Sequence, residues 1–207
     1  MLQNRDYTII FAKTATDGII RPPGFAERWA LAQASVLRLI QKCEEFDPDG
    51  ITVYLACRSP EEGCLFEKYE RVTSTNLIQV IESSYPPEQA NLQEVLQAAL
   101  DDYFARKTAG KTKANGEIIL VLIDGEPSDR MAVAKLIKAA THKMDTDEEL
   151  GIGFVQIGED SLARGFLEAL DNNLKQTGAR FDIVTTKLLD TIEPDSLAEF
   201  LLSILYD

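Results

Sequence analysis

Positive charge is in short supply. The chain has 21 Lys and Arg against 34 Asp and Glu, a formal charge of −13 over 207 residues. Neutralising nucleic-acid phosphates takes a basic face, and none can be assembled here. Anionic membrane surfaces are disfavoured for the same reason. No run of about 18 apolar residues occurs, so no membrane-spanning helix is expected. The opening "MLQNRDYTII" lacks the basic leader and apolar stretch of a signal peptide. There are three cysteines, Cys43, Cys57 and Cys64, an odd number without zinc-ligand spacing. A reducing cytoplasm is the expected location. Histidine occurs once, as His142. No G-x-G-x-x-G follows a strand, and neither G-x-x-x-x-G-K-[ST] nor G-x-S-x-G appears, so nucleotide cradles and the nucleophile elbow have no support.

What the chain does contain is apolar periodicity. At 45% hydrophobic residues it can bury a substantial core. "YTIIFA" reads as a buried strand, and after "GIIRPPG" a helix is expected over about 27–46, with Trp29, Ala32, Val36, Ile40 and Cys43 on one face. "ITVYLAC" is a second strand. "CLFEKYERV" suits a charged antiparallel edge that resists pairing with strangers. A short helix in "TNLIQVIES" precedes a stronger one in "LQEVLQAALDDYFARK". Ile118 to Ile123 show no alternation, which marks a central strand covered on both faces. The next helix, capped by Ser128 or Asp129, should run to about residue 144. "LGIGFVQIG" is a further strand, and Asp160 or Ser161 caps the helix after it. "RFDIVTT" is the last strand, and Pro194 opens the last helix. The alternation predicts one α/β domain over 1–207: a doubly wound, mostly parallel sheet of about six strands, one a short antiparallel edge, with helices on both faces.

Ligands bind such sheets beyond the carboxyl ends of the strands, where the strand order switches. Two strands end in groups able to bind something: "AKTAT" after the first and "DGEPSD" after the central one. These ends, with the helix order around them, resemble a von Willebrand factor type A domain of the stand-alone bacterial type, over nearly the whole chain from Asp6. That resemblance implies a Rossmann-like fold and a metal-ion-dependent adhesion site built from D-x-S-x-S, a helix-initiating Thr and a strand-terminal Asp. In the family the site usually holds Mg²⁺, and a partner's carboxylate completes the shell.

Several positions depart from the family pattern. Ala12 stands at the first Asp and Ala90 at the Thr position, while Ile123 replaces the usual hydroxyl before the last Asp. Thr14, Thr16 and Asp124 keep their oxygens, but only Asp124 is charged. Mg²⁺ wants roughly six oxygens and sheds water reluctantly. The set of Thr14, Thr16 and Asp124 is therefore expected to hold it weakly or not at all, with a dissociation constant on the order of millimolar or worse, about 4 kcal/mol or less. Asp17 or Glu126 would be a substitute ligand in a rearranged, metal-dependent adhesion module, and the Lys13 ammonium would be a substitute for the ion. The expectation is a non-enzymatic protein-interaction domain with a degenerate adhesion site. Its binding rim would comprise Thr14, Thr16, Asp17, Arg21, Ala90, Asn91, Asp124 and Glu126, with Arg130 alongside.

Rival readings are thinner. A hydrolase would use Asp124 with only Glu126 or Asp129 as acid or base, and "FAKTAT" lacks the paired acids of haloacid-dehalogenase-type phosphatases. His142, late in a helix, suits a capping role. Cys57 and Cys64 flank the expected hairpin as thiols or as a redox pair. "DPDG" lacks the other ligands of a calcium loop.

Overall fold

The computed structural model describes residues 1–14, 23–83, 85–127 and 129–206, with the side chains of 23–31 left undescribed. Thr16, Asp17, Arg21 and Ser128, and the packing of Trp29, therefore lie outside the described residues. Six strands form one sheet: β1 (Asp6–Ala12), β2 (Ile51–Ser59), β3 (Gly63–Val72), β4 (Glu117–Ile123), β5 (Leu150–Gln156) and β6 (Val184–Leu188). Their order is β3-β2-β1-β4-β5-β6. All pairings are parallel except β2 with β3, which is antiparallel at the sheet edge. This is the doubly wound arrangement expected from the alternation of elements.

Side chains alternate across the pleat and sort the core into two layers. On one face Tyr7, Ile9 and Phe11 of β1, with Ile118, Leu120 and Leu122 of β4, meet helices α1 (Pro23–Phe46) and α6 (Leu197–Ser203). Within α1, Ala32, Val36, Leu39, Ile40 and Cys43 recur at helical spacing and are buried. On the other face Ile10, Ala12, Ile119, Val121 and Ile123 meet α3 (Leu92–Thr108), α4 (Arg130–Thr141) and α5 (Ser161–Asn173). A short α2 (Leu77–Glu82) lies near the β3 edge. Every residue of β4 is buried, as its unbroken apolar run requires. Two glycines of β5 let α6 approach closely. A Cβ at Gly151 would meet the Ile204 carbonyl oxygen at 2.8 Å, and one at Gly153 would meet Ile204 Cδ1 at 2.6 Å.

Some boundaries move. Helix α1 begins at Pro23 rather than near 27, and α4 ends at Thr141 rather than near 144. Pro194 opens a 3-10 turn, Pro194–Ser196, from which α6 continues. Asp160 accepts from the Leu162 and Ala163 N–H groups and caps α5 as expected. Asp129 precedes α4 but does not cap it; its carboxylate accepts from Gln93 N at 2.7 Å, tying the starts of α3 and α4 together. Long-range geometry won there over the local capping preference.

The amino-terminal end of the sheet is closed by an ionic network. Glu117, 1% exposed, accepts from Thr8 Oγ1 at 2.5 Å and from the Arg106 guanidinium. Arg106 also reaches Asp6 at 2.6 Å and Asp102 at 2.8 Å. Arg5, 2% exposed, donates to the carbonyls of Met1, Glu117 and Glu148. Lys113 bridges Asp47 and Asp49. Such charges tolerate burial because each finds partners.

Candidate functional site

The switch in strand order falls between β1 and β4, which run parallel in register from Asp6 opposite Glu117 to Ala12 opposite Ile123. Thr14 and Asp124 therefore emerge beside each other at the carboxyl end of the sheet. Thr14 Oγ1 donates to Asp124 Oδ1 at 2.8 Å. The Thr14 backbone N–H also points at the carboxylate, 3.2 Å from Oδ1 and 3.3 Å from Oδ2. Asp124 is only 4% exposed. Its burial is compensated by donors from the neighbouring strand tip, which is the condition for keeping a carboxylate out of water.

The remaining expected residues divide. Ala12 and Ala90 are both buried, at 0% and 4% exposure, and both belong to the apolar layer beneath the site. Neither offers an oxygen from its side chain. Asn91 caps α3: its side chain accepts from Glu94 N and donates to Glu94 Oε2. Glu126 pairs with Arg130 at 2.7 Å on the surface beside Asp124. Among the described residues no group of three or more His, Cys, Asp or Glu side chains is arranged to hold a metal ion. The arrangement of Thr14 and Asp124 can accept and donate hydrogen bonds. It presents one carboxylate with a hydroxyl directed at it.

The same end of the molecule carries exposed apolar side chains that the sequence reading missed. Met131, second in α4, is 72% exposed, and Leu162, second in α5, is 66% exposed. Both helices start at the carboxyl ends of the strands that precede them. Tyr85, 71% exposed, lies by the carboxyl end of β2, where its carbonyl accepts from Arg58 N at 2.8 Å. Helical spacing groups Leu162 with Phe166, Leu167, Leu170 and Leu174 as an apolar face, yet Leu162, in the first turn of α5, stands exposed while Leu167, Leu170 and Leu174 are buried. The gathering of Leu162, Met131 and Tyr85 at one end depends on the connections.

The cysteine pair is decided by register. Cys57 lies opposite Leu65, and Cys64 lies opposite Arg58. Opposed residues share a face and neighbours alternate, so Cys57 and Cys64 point to opposite faces of the β2–β3 ribbon. They do not face each other, and all three cysteines are free thiols. His142 follows α4 as its C-cap, and its Nε2 is 3.1 Å from the Gly178 carbonyl oxygen.

No protein-family model matches the sequence, and no curated relative does. Likeness appears in three dimensions. The PilB minor pilin from Streptococcus sanguinis superposes with a TM-score of 0.53 at 10% identity, over 98% of this chain and 61% of the pilin variant compared. Proximal thread matrix protein 1 from the mussel byssus gives 0.50 at 14% identity, over 99% of this chain and 47% of its own. A von Willebrand factor type A protein from Catenulispora acidiphila gives 0.48 at 13% identity, over 98% and 42%. At such identities the likeness is one of fold. The chain spans about half the length of these structures.

Proposed function

We propose that the chain is a non-enzymatic protein-interaction domain of von Willebrand A type, whose partner docks on the carboxyl end of the sheet without a metal bridge. One observation carries the reading: the Asp124 carboxylate, the single charged group left from an adhesion-type ligand set, already accepts hydrogen bonds from Thr14 N and Oγ1. Ala12 and Ala90 stand buried where such a set would need oxygens. A dication here would face one negative charge among the described groups, too little to offset the loss of its water shell. The Thr14–Asp124 pair then acts as an internal brace joining two strand tips. The contact surface is the ground around it: Glu126 and Arg130 with the exposed Tyr85, Met131 and Leu162. Aromatic side chains, Met and Arg are enriched where proteins meet. The names of the two better-matching structures, a minor pilin and a thread matrix protein, suit an assembly role. The proposed compartment is the cytoplasm, whose reducing poise keeps three free thiols reduced.

The test is capture of the partner from cell extract by the immobilised chain. EDTA should leave capture unchanged, and Met131→Asp with Leu162→Asp should abolish it while the circular dichroism spectrum is preserved. Capture that collapses on chelation and returns with Mg²⁺ would replace this reading by a metal-bridged one. Capture indifferent to both rim variants would remove the rim from consideration. Reproducible turnover on a panel of phosphate and carboxylic esters, lost in Asp124→Asn, would make the chain a hydrolase instead.

A further inference from the structure

A cavity of about 250 Å³ opens between α5 and β6 at the carboxyl end of the sheet. Gln156, the last residue of β5, lines it, and Leu167 and Leu188 contribute apolar lining. Arg164 from the first turns of α5 and Lys187 from β6 bring two positive charges to it. Such concentration is notable in a chain of net charge −13. Glu168, one turn beyond Arg164, also lines it, as do Thr186 and Thr191.

The Arg164 Nε–H is buried and has no hydrogen-bond partner among the described residues. Among the described residues, no ion pair engages Arg164 or Lys187. A desolvated guanidinium N–H without an acceptor calls for an explanation, since buried donors in folded proteins are nearly always satisfied. Several donors beside it are already committed. Thr186 donates both N–H and Oγ1 to Asp171, and Gln156 Nε2 donates to the carbonyls of Gly158 and Asp160. Among the described residues, neither the Glu168 carboxylate nor the Gln156 side-chain oxygen at the cavity is hydrogen-bonded to Arg164.

We propose that this cavity binds a carboxylate group, held by the Arg164 fork with Lys187 beside it, its aliphatic stem against Leu167 and Leu188. The guanidinium's planar donors match a carboxylate's two oxygens. Two cations offset by Glu168 leave about one net positive charge, which suits a singly charged carboxylate better than a doubly charged phosphate. The volume lies just under the range of drug-sized ligand pockets, about 300–1,000 Å³, so the occupant is small: a short free dicarboxylate or one acidic side chain of a peptide. This site is separate from the Thr14–Asp124 brace and stands whether or not that end of the sheet binds a protein.

Two-dimensional ¹⁵N–¹H NMR on the full chain reads the site directly through the Arg164 Nε–H resonance. Three probes are titrated separately: succinate, the blocked peptide acetyl-Gly-Glu-Gly-amide, and inorganic phosphate. A saturable shift of that resonance with succinate or with the peptide is expected, at least tenfold weaker in Lys187→Gln, and with the Thr191 amide shifting in parallel. The carboxylate that saturates at lower concentration identifies the source, free acid or acidic side chain. Arg164→Gln, which removes the probe resonance, should also abolish the shift at the Thr191 amide. Absence of saturation with both carboxylates overturns the proposal. So does phosphate saturating at lower concentration than either, or an unchanged Thr191 response in Arg164→Gln.

Discussion

Thr14 Oγ1 lies 2.8 Å from Asp124 Oδ1, although 110 residues separate the two in sequence. The contact closes the tips of β1 and β4 at the switch in strand order, where an open α/β sheet offers its natural crevice. It makes Asp124 a buried, satisfied acceptor, and several measurements follow from that and from its counterpart at the other end of the sheet.

Thr14→Val keeps the shape and the backbone donor but removes the hydroxyl from a carboxylate that is 4% exposed. Hydrogen bonds to charged groups contribute about 1.5–3 kcal/mol. The urea midpoint at pH 7 should fall by an amount equivalent to about 1–3 kcal/mol. Thr14→Ser, which restores the donor, should recover most of it. A valine variant as stable as the parent would show that the hydroxyl bond contributes nothing.

Arg106→Met should be among the more damaging single changes on the partly exposed surface. It strips the ion-pair partner from Glu117, whose side chain is 1% exposed, leaving a buried charge. Breaking such a pair costs about 3–5 kcal/mol, whereas replacing both members by apolar groups can be near neutral. Arg106→Met with Glu117→Leu should therefore be more stable than Arg106→Met alone. Additive losses in the double variant would contradict this, and denaturant melts of the parent, Arg106→Met, Glu117→Leu and the double variant decide it.

Burial raises the Asp47 carboxyl to about 6, reinforced by the neighbouring Asp49 and opposed by Lys113. Asp49, bonded to Asp47 and Lys113, is held down at about 2. An acid whose folded value is raised keeps its proton longer when folded than when unfolded, where it titrates near 3.9. The Asp47 contribution to stability is thus present below about pH 4 and is lost as pH rises to about 6. Asp47→Asn removes that dependence. The stability difference, parent minus variant, should fall between pH 4 and 6 and level off above; a difference that rises across this window would reverse the assignment. Asp49 acts oppositely, its contribution being lost as pH drops from about 4 to 2.

Gly151→Ala and Gly153→Ala should both lower stability by about 1–3 kcal/mol, the usual cost of overpacking. They should differ in rescue. Ile204→Val removes the Cδ1 atom that a Cβ at 153 would strike, but not the carbonyl oxygen that a Cβ at 151 would strike. Thermal melts should show partial recovery only in the 153 pair. Equal recovery in both would mean that α6 shifts freely over β5.

Treating the native chain with diamide should yield no Cys57–Cys64 disulfide by peptide mass mapping, because the two thiols lie on opposite faces of the ribbon. A quantitative crosslink formed without unfolding would show that the β2–β3 register slips.

Much of the fold could be read along the chain. The unbroken apolar run at 118–123 marked a doubly covered strand, and the charges in "CLFEKYERV" marked an edge. The ends after Phe11 and Ile123 were marked as candidate binding ends, while the strand order made them neighbours. Helix starts were less legible: Asp129 looks like a cap, yet its carboxylate is drawn to Gln93 N on another helix. The Glu117–Arg106–Thr8 network gave no local signal, because Thr8 and Glu117 are 109 residues apart. Nor did the cavity at Arg164 and Lys187, two surface-like cations brought together only by the packing of α5 on β6.

What the sequence determined by itself was the layered α/β sheet and the presence of an acid, Asp124, at the end of its central strand, because periodicity and residue chemistry are local properties of the chain. Only the tertiary structure decided that Thr14 turns its donors onto Asp124, that Cys57 and Cys64 point apart, and that Arg164 has a buried N–H without a partner among the described residues. Those outcomes depend on strand register and helix seating, where hydrogen-bonding groups far apart in sequence compete for one another once water has been excluded.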